Sequence, residues 1–442
     1  MNYCNYLQYP SRPIAIARRK GFVRYNKSSD GERAAPPANH ATLQLGRSKE
    51  KASMDGPLSG IRVVELAGWV AGPAAGLLMA DWGADVIKIE APEGDAWRYN
   101  ALAPAQDDLE SPAFEVPNRG KRSVVLNLKE PAQQAQGHKL VARADVFLTN
   151  MRQAALDALG MDEATLRAVN PSHVYVQVTG FGLRGEDASR PGFDYTAYWS
   201  KAGFSQVIGE PGQPPVLPRA ANGDYPTAIT TAAATCAALY RRAQTGEGDH
   251  VHVSLAGVGA FVLSIDHANL LQGGEIAQRH SREEPRSPLF NSYAAGDDRW
   301  FMLACFQSDR HWPDLCLALE REDLLGEPRY LTVELRSEHA RELTTLLESE
   351  FAKRSLNQWR PIFDNHGIIW EPMNDIASAQ SDPQYALLGT FPTYADARSN
   401  RPVRTVDTPA HFAAFPRTID RGAPPLGAHT EEVLHELEET DT

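Results

Sequence analysis

Short apolar runs alternate with longer helix-forming segments from Leu58 onward. β-Branched and aliphatic residues concentrate in residues 61–66 and again in residues 85–90, and a glycine- and alanine-rich stretch followed by helix formers separates them. A strand, a glycine turn, a helix and a second strand about 24 residues after the first are typical of a βαβ unit, whose two strands are parallel. The pattern therefore predicts an α/β fold.

The same rhythm continues and predicts a doubly wound parallel sheet. After a glycine- and proline-rich stretch, one long helix pattern ended by glycines and one more strand complete the first part of the chain. The further predicted strands are 123–128, 145–149, 173–179 and 250–254, and the predicted helices between them are 130–143, 162–169 and 226–245.

The second part of the chain predicts a smaller α+β unit. A loop-rich, charged linker precedes an apolar strand at 300–305 and two helices, and turn-rich sequence then leads to a final helix at 430–437. These changes divide the chain into a basic extension, a large α/β domain, a linker, a small domain and a terminal segment. Their predicted limits are 1–53, 54–265, 266–298, 299–384 and 385–442.

Charge is distributed unevenly along the chain. The net charge is −12, but ten basic and three acidic side chains give residues 1–53 a charge of +7 and leave −19 for the rest. The basic segment lacks periodic apolar residues, which predicts a disordered extension; it is consistent with a transit peptide and with translation starting at Met54. The acidic remainder argues against nucleic-acid binding, and no apolar run reaches the roughly 18 to 20 residues of a membrane helix. The four scattered cysteines predict no metal centre.

Gly68, Gly72 and Gly76 follow the first predicted strand and form a first candidate cofactor site. Their spacing differs from the G-x-G-x-x-G pattern that brings backbone amides onto a dinucleotide pyrophosphate. Glu90, at the end of the second strand, stands where a ribose-binding acid would lie, so a nicotinamide oxidoreductase stays open. Alternatively, the glycines let a helix pack closely on the sheet.

Basic residues concentrate near the ends of the predicted strands. Cationic side chains at one edge of a parallel sheet can hold phosphate groups, although such a run is also typical of a solvated turn. In an otherwise acidic chain, this concentration favours an anionic ligand. The residues are Arg98, Arg119, Lys121, Arg122, Lys129 and Arg152.

Asp224 lies at the start of the long predicted helix, and its position has two interpretations. It is a good N-cap residue, with Pro226 in the first helical turn. The same place suits a nucleophile, because the helix dipole and nearby amides are expected to lower the pKa of a carboxylate there and keep it ionised. Gly223 before it would allow backbone or substrate to approach closely.

Several separate motifs, in order along the chain, resemble the class III coenzyme A transferase family (CaiB/BaiF type). This family also contains carnitine CoA-transferase, formyl-CoA transferase and α-methylacyl-CoA racemase. The resemblance runs from about Leu58 to Leu437 and leaves residues 1–53 without a counterpart. The motifs are Leu58-Ser-Gly-Ile-Arg-Val-Val-Glu-Leu66, Val70-Ala-Gly-Pro73, Asp81-Trp-Gly-Ala-Asp-Val-Ile-Lys-Ile-Glu90, Gly94-Asp-Ala-Trp-Arg98, Asn118-Arg-Gly-Lys-Arg-Ser123, Pro191-Gly-Phe-Asp194, Thr245-Gly-Glu-Gly248 and Pro425-Leu-Gly-Ala-His-Thr-Glu-Glu-Val433.

The resemblance implies a Rossmann-like large domain that binds CoA and is built from both chain ends, with residues 385–442 returning to it. It also implies the smaller α+β domain, an interlocked homodimer, and an enzyme with no membrane or nucleic-acid partner. The expected compartment is the cytoplasm, or the mitochondrion if residues 1–53 act as a transit peptide.

By resemblance, Asp224 is the catalytic nucleophile, which exchanges CoA between an acyl-CoA and a carboxylic acid through anhydride and aspartyl-CoA thioester intermediates. The CoA thioester is a substrate, and no permanently bound cofactor is expected. The residues expected to bind CoA are Val70, Gly72, Arg98, Arg119, Lys121, Leu126, Lys129, Asn150 and Arg152.

Departures from the family pattern narrow the reaction. The racemases have a histidine where this chain has Phe193, and phenylalanine cannot transfer a proton. Val70 replaces an active-site glutamine of formyl-CoA transferase, which argues against formate and oxalate as substrates. Ala158, Met151 and Gly257 also differ from residues that are usual in the family, so the detailed CoA contacts are left open.

The sequence as a whole predicts a CoA-transferase. An acyl-CoA racemase or isomerase of the same fold and a catalytically silent CoA-binding protein stay as alternatives, and the identities of the two acids are open. Trp69, beside the glycine turn, either closes one side of the acyl pocket or packs against the sheet.

Overall fold

A parallel sheet forms the centre of the computed structural model, which describes residues 56–99, 109–276, 278–396, 399–415, 419 and 421–439. Among these residues the sheet has six strands, β1 (Arg62–Leu66), β2 (Asp85–Glu90), β3 (Arg122–Val125), β4 (Val146–Thr149), β5 (Val174–Thr179) and β6 (Asp249–Ser254). Their order is β3-β2-β1-β4-β5-β6, which is the order of the Rossmann fold. The α/β fold predicted from the sequence is confirmed; the extension at residues 1–53 lies outside the described residues.

Helices cover both faces of this sheet, as the doubly wound pattern predicts. In the described residues up to 276 they are α1 (Ala71–Asp81), α2 (Pro112–Asn118), α3 (Pro131–Ala142), α4 (Gln153–Leu159), α5 (Glu163–Val169), α6 (Phe204–Val207), α7 (Asp224–Thr245), α8 (Leu255–Val262) and α9 (Ser264–Leu271). None of the helices in the described part of the chain is both long enough and apolar enough to cross a membrane.

Alternate residues of each strand enter two different cores, because successive side chains of a strand point to opposite faces. Val63 packs with α1 and α7 on one face, whereas Val64 packs on the other face with Ile87 and Phe147, the residues beside it on β2 and β4. Both faces are therefore buried, which explains why the predicted strands are continuous apolar runs.

The C-terminal end of the chain returns to the large sheet. Helix α16 (Thr430–Glu439) places Val433 and Leu437 in the same core as Val64, and Arg122 of β3 forms ion pairs with Glu436 at 2.5 Å and with Glu432 of α16. The large sheet unit is thus built from both ends of the sequence, as the family resemblance implies.

A smaller unit has its own antiparallel sheet and core. Strands β7 (Phe290–Ala294), β8 (Trp300–Ala304) and β9 (Trp370–Pro372) pair in that order, and β7 falls within the segment 266–298 that the sequence predicts as a linker. The accompanying elements are helices α10 (Ser308–Ala318), α11 (Val333–Glu338), α12 (Ala340–Phe351), α13 (Leu356–Asn365), α14 (Ile376–Gln380) and α15 (Pro383–Leu388) and the hairpin strands β10 (Thr393–Ala395) and β11 (Pro402–Arg404). The core of this unit is drawn from residues 289–368, separate from both cores of the large sheet.

A buried carboxylate links the strands on one side of the large sheet. Glu65 of β1 contacts the Lys88 ammonium of β2 at 3.0 Å and the Lys121 ammonium, just before β3, at 2.7 Å, and all three side chains are fully buried. Lys121 also donates to the Pro73 carbonyl of α1 at 2.8 Å. A Cβ atom at Gly76 would lie 2.0 Å from the Glu65 carboxylate, so glycine is required at that point of α1.

Replacing Glu65 by glutamine should destabilise the fold strongly. The change leaves two buried ammonium groups without their shared carboxylate, and breaking a buried ion pair in this way costs about 3–5 kcal/mol. Urea unfolding followed by circular dichroism measures the loss. Glu283→Gln is the matched control, because Glu283 pairs with Arg341 at the surface and such pairs are worth about 0–1 kcal/mol. Equal losses for the two variants would contradict the assigned role of Glu65.

Candidate active site

Asp224 is the first residue of the long helix α7. The N-cap is Gly223, which leaves no side chain to cap the helix, so the expectation that Asp224 is the N-cap is wrong. A Cβ atom at Gly223 would lie 2.4 Å from the ring of Tyr198, and this close packing explains the glycine. Among the described residues, no hydrogen-bond donor or cation contacts the Asp224 carboxylate, which leaves it available for chemistry.

A second carboxylate lies next to Asp224. Asp194 begins a π-helical turn, Asp194–Ser200, and its buried side chain accepts hydrogen bonds from the backbone N–H of Tyr195 at 2.8 Å and of Gly223 at 3.4 Å. Asp194 therefore holds the backbone that immediately precedes the start of α7. Its role depends on a contact between distant parts of the chain, and sequence reasoning noted the residue only as part of a motif.

The pKa of Asp224 is raised to about 7, first by burial and then by the negative charge of Asp194. The helix end was expected to lower this pKa, and that expectation is wrong because burial and a like charge outweigh the helix dipole. A carboxylate with a pKa near neutrality is more basic than an ordinary aspartate, and a substantial fraction is still ionised at neutral pH. Such a group suits nucleophilic attack.

The strand order reverses between β1 and β4, and this switch point is where open α/β sheets bind ligands. Gly68 and Asn150, which follow these two strands, form a reciprocal pair: the Gly68 N–H donates to the Asn150 side-chain oxygen at 3.1 Å, and the Asn150 amide donates to the Gly68 carbonyl at 2.7 Å. A Cβ atom at Gly72 would lie 2.8 Å from Ala67 and 3.5 Å from Asn150. Gly72 and Asn150, both predicted to bind CoA, are therefore brought together. Val70, which lies between Gly68 and Gly72 in sequence, is buried.

Trp69 occupies an unusual backbone conformation at this switch point. Its φ of 64° lies in the left-handed region, and its N–H donates to Asp95 at 3.2 Å. Its indole contacts Trp97 on one side, at 5.6 Å between ring centroids, and the edge of Phe193 at 5.0 Å. The sequence left open whether this ring faces the acyl pocket or packs on the sheet; Trp69 is 44% exposed.

The predicted cations do not form one cluster. Arg98 is buried against Glu90 at 2.7 Å and Glu110 at 2.9 Å, and its guanidinium stacks 3.7 Å from the ring centre of Phe114. Arg119 pairs with Asp81 at 2.9 Å, and Lys121 pairs with Glu65. Both cations lie before β3 rather than after it. These three side chains neutralise carboxylates of the protein itself.

Two other predicted cations lie exposed beyond the carboxyl ends of the strands. Lys129 follows β3 and Arg152 follows β4, and in the described part of the chain neither side chain forms an ion pair. Leu126, also predicted to contact CoA, is buried directly after β3. The switch-point side of the sheet therefore combines a close-packed glycine turn with two exposed cations, and cations of this kind suit a phosphorylated ligand.

Known proteins match this chain over most of its length. The family model described as CoA-transferase family III matches residues 58–430. The chain is 33% identical to (R)-2-hydroxy-4-methylpentanoate CoA-transferase of Clostridioides difficile, with 86% of this chain and 95% of that protein covered. It is also 33% identical to succinate–glutarate CoA-transferase of Agrobacterium fabrum, with 86% and 96% covered. A CAIB/BAIF family protein from Brucella suis has a similar crystal structure, with a TM-score of 0.77, 30% identity, and 87% of this chain and all of that chain covered.

Asp224→Asn should stabilise the protein, and more so at pH 8.5 than at pH 5.5. An aspartate in the unfolded chain titrates near 3.8 and Asp224 in the fold near 7, so the folded state holds its proton longer. Stability is therefore lost as the pH rises between these values, and the neutral asparagine removes that loss. Urea unfolding of both proteins at the two pH values measures the difference.

Asp187→Asn is the control for this titration. Ion pairs with Lys201 and Arg190 hold the pKa of Asp187 below its usual value, so it stays ionised across this pH range and its variant should show no such pH dependence. Asp194→Asn should lower the pKa of Asp224 by removing the like charge. A pH-independent effect of Asp224→Asn would contradict the raised pKa.

Proposed function

Because this chain belongs to CoA-transferase family III, we propose that it moves CoA from an acyl-CoA donor to a free carboxylic acid with Asp224 as the nucleophile. The observation that carries the proposal is the unpaired Asp224 carboxylate at the start of α7, with its pKa near 7. The relatives are named CoA-transferases, so a transferase activity is common to the group.

The reaction proceeds through covalent steps on Asp224. Its carboxylate attacks the thioester carbonyl of the donor, the carbon–sulfur bond breaks, and CoA leaves as a thiolate while a mixed anhydride forms. The thiolate then attacks the Asp224 carbonyl of the anhydride, which releases the donor acid and gives an aspartyl-CoA thioester. The acceptor carboxylate repeats these two steps in reverse order, forming its own CoA thioester and freeing Asp224. Each step replaces one acyl bond by another, so a weak nucleophile suffices.

The raised pKa of Asp224 serves the first step. A more basic carboxylate is a stronger nucleophile, and the negative charge of the neighbouring Asp194 contributes to the raised pKa of Asp224. Phe193 occupies the position where the racemases of the family have a histidine. Because phenylalanine cannot transfer a proton at the α-carbon of a substrate, this residue favours acyl exchange over racemisation.

We assign CoA binding to the switch point beside β1 and β4. Gly68, Gly72 and Asn150 form its narrow part, and the exposed Lys129 and Arg152 provide the positive charge for the phosphate groups. Arg98, Arg119 and Lys121 are left out of this assignment, since their charges are already neutralised by carboxylates of the protein.

We also propose a homodimer. Helices α8 and α9 expose large apolar side chains, including Phe261 at 77% and Leu271 at 86%. Several large apolar side chains exposed on two consecutive helices favour a contact with another protein surface. A second copy of this chain is the occupant that the resemblance implies.

Asp224→Ala should abolish CoA exchange, reducing it by a factor of at least about 10⁴, because the covalent route is lost. Mass spectrometry of the wild-type protein incubated with an acyl-CoA should detect CoA as a thioester on the Asp224 peptide. Borohydride reduction of this adduct, which converts the thioester to the alcohol, identifies the residue.

Asp323→Asn is the matched control, since Asp323 pairs with Arg321 at the surface of the smaller unit and should leave exchange unchanged. Full exchange by Asp224→Ala would contradict the mechanism. Deuterium uptake at the α-carbon of a 2-methylacyl-CoA without any acceptor acid would instead identify a racemase.

Light scattering coupled to size-exclusion chromatography should give about twice the monomer mass for the wild-type protein. Ile265→Lys, which places a charge on the exposed apolar face of α9, should shift the protein toward the monomer. Val169→Lys, at an exposed apolar position of a different helix, α5, should leave the mass unchanged. A monomeric wild-type protein would contradict the dimer.

A further inference from the structure

An exposed pair of aromatic side chains lies at the switch point. Trp69 and Phe193 are 44% and 48% exposed, although their rings are in edge-to-face contact with each other. Two large apolar rings left half in water are unfavourable for a protein surface, and such rings usually mark a binding site.

The backbone of Trp69 is held in this position at an energetic cost. A non-glycine residue at a φ of 64° is strained by about 1 kcal/mol, and a bulky residue there is uncommon. The strain is maintained by Asp95, which accepts the Trp69 N–H and is itself paired with the buried Lys88 at 3.0 Å. Strained residues that the surrounding structure holds in place concentrate at functional sites.

The aromatic pair is connected to the nucleophile through short contacts. Phe193 directly precedes Asp194, whose carboxylate accepts the N–H of Gly223, the residue before Asp224. Trp69 lies just before α1, which packs against α7 through Ala71, Ala74 and Ala228. The exposed rings and the Asp224 carboxylate therefore belong to the same part of the molecule.

We propose that Trp69 and Phe193 form the wall that receives the acyl group, and that the enzyme selects bulky apolar acyl groups, aryl or branched, over short or anionic ones. Aromatic walls bind flat and branched apolar groups by contact area and edge-to-face packing, and they offer nothing to a second carboxylate. This inference rests on the proposed function, because it concerns the acyl group that Asp224 attacks.

The test measures the first half-reaction, which needs no acceptor. The rate of formation of the Asp224–CoA adduct is determined by mass spectrometry with phenylacetyl-CoA, acetyl-CoA and succinyl-CoA. The wild-type protein should react fastest with phenylacetyl-CoA. Trp69→Gly should lower that rate at least about tenfold and change the acetyl-CoA rate less than about twofold, because only the large acyl group reaches the wall.

Glycine is the chosen replacement because it adopts a φ of 64° without strain. Relief of the strain offsets part of the lost ring packing, so Trp69→Gly should unfold only slightly below the wild-type protein. A purely structural role would instead lower the unfolding temperature without changing the preference among the three donors. Trp69→Phe, which keeps a ring, should restore most of the phenylacetyl-CoA rate, and Phe193→Ala should reproduce the loss of selectivity. Trp300→Ala is the matched control, since Trp300 is 42% exposed and lies in the smaller unit.

The outcomes separate this inference from the proposed function. An equal loss with all three donors, a faster wild-type reaction with succinyl-CoA, or a change of oligomeric mass in Trp69→Gly would overturn the aromatic wall while the Asp224 chemistry stands. Failure of every donor to form an adduct on Asp224 would overturn the proposed function and this inference with it.

Discussion

The buried carboxylate of Glu65 is the interaction on which the region around the site depends. It lies between two ammonium groups, those of Lys88 and Lys121, and so links β1, β2 and the start of β3. An unpaired charge in a protein interior is very unfavourable, so each member of the group requires the others. Although burial opposes it, the surrounding carboxylates raise the pKa of Lys88, whereas burial lowers the pKa of Lys121 to about 8. Gly76 belongs to the same constraint, because a larger residue would overlap the carboxylate.

The network continues from the core to the surface. Lys88 donates to the Ala67 carbonyl at 2.6 Å and pairs with Asp95, and Asp95 accepts the N–H of Trp69. Lys88 and Asp95 therefore fix the turn after β1 through its backbone, and the hydrogen bond to Asp95 holds Trp69 in its strained conformation. Asn150, which follows β4, fixes the same turn through its two hydrogen bonds to Gly68. The exposed residues of the switch point therefore follow a turn that is held by buried, paired charges.

The surroundings of Asp224, the proposed nucleophile, differ from this fully paired group. The Asp224 carboxylate is partly buried, has no cation beside it among the described residues, and lies next to Asp194, so its ionised form is disfavoured. The protein loses stability at neutral pH by keeping two carboxylates together, and the Asp224 carboxylate becomes more basic. Such a local cost is usual at catalytic sites and is tolerated because the rest of the sheet is well packed.

The sequence by itself determined the parallel sheet, the existence of the long helix and Asp224 as the candidate nucleophile, because apolar runs, glycine turns and family motifs are local features. It also explained Gly72 and Gly76 as close-packing positions. Only the tertiary structure decided which charges are free: Arg98, Arg119 and Lys121 are paired with carboxylates from other segments, whereas Lys129 and Arg152 are exposed. The pKa of Asp224 and the contact between Trp69 and Phe193 were likewise beyond sequence reasoning. Ion pairing, burial and ring contacts depend on residues that are far apart in the chain. Composition and local spacing do not determine which of these residues meet in the fold.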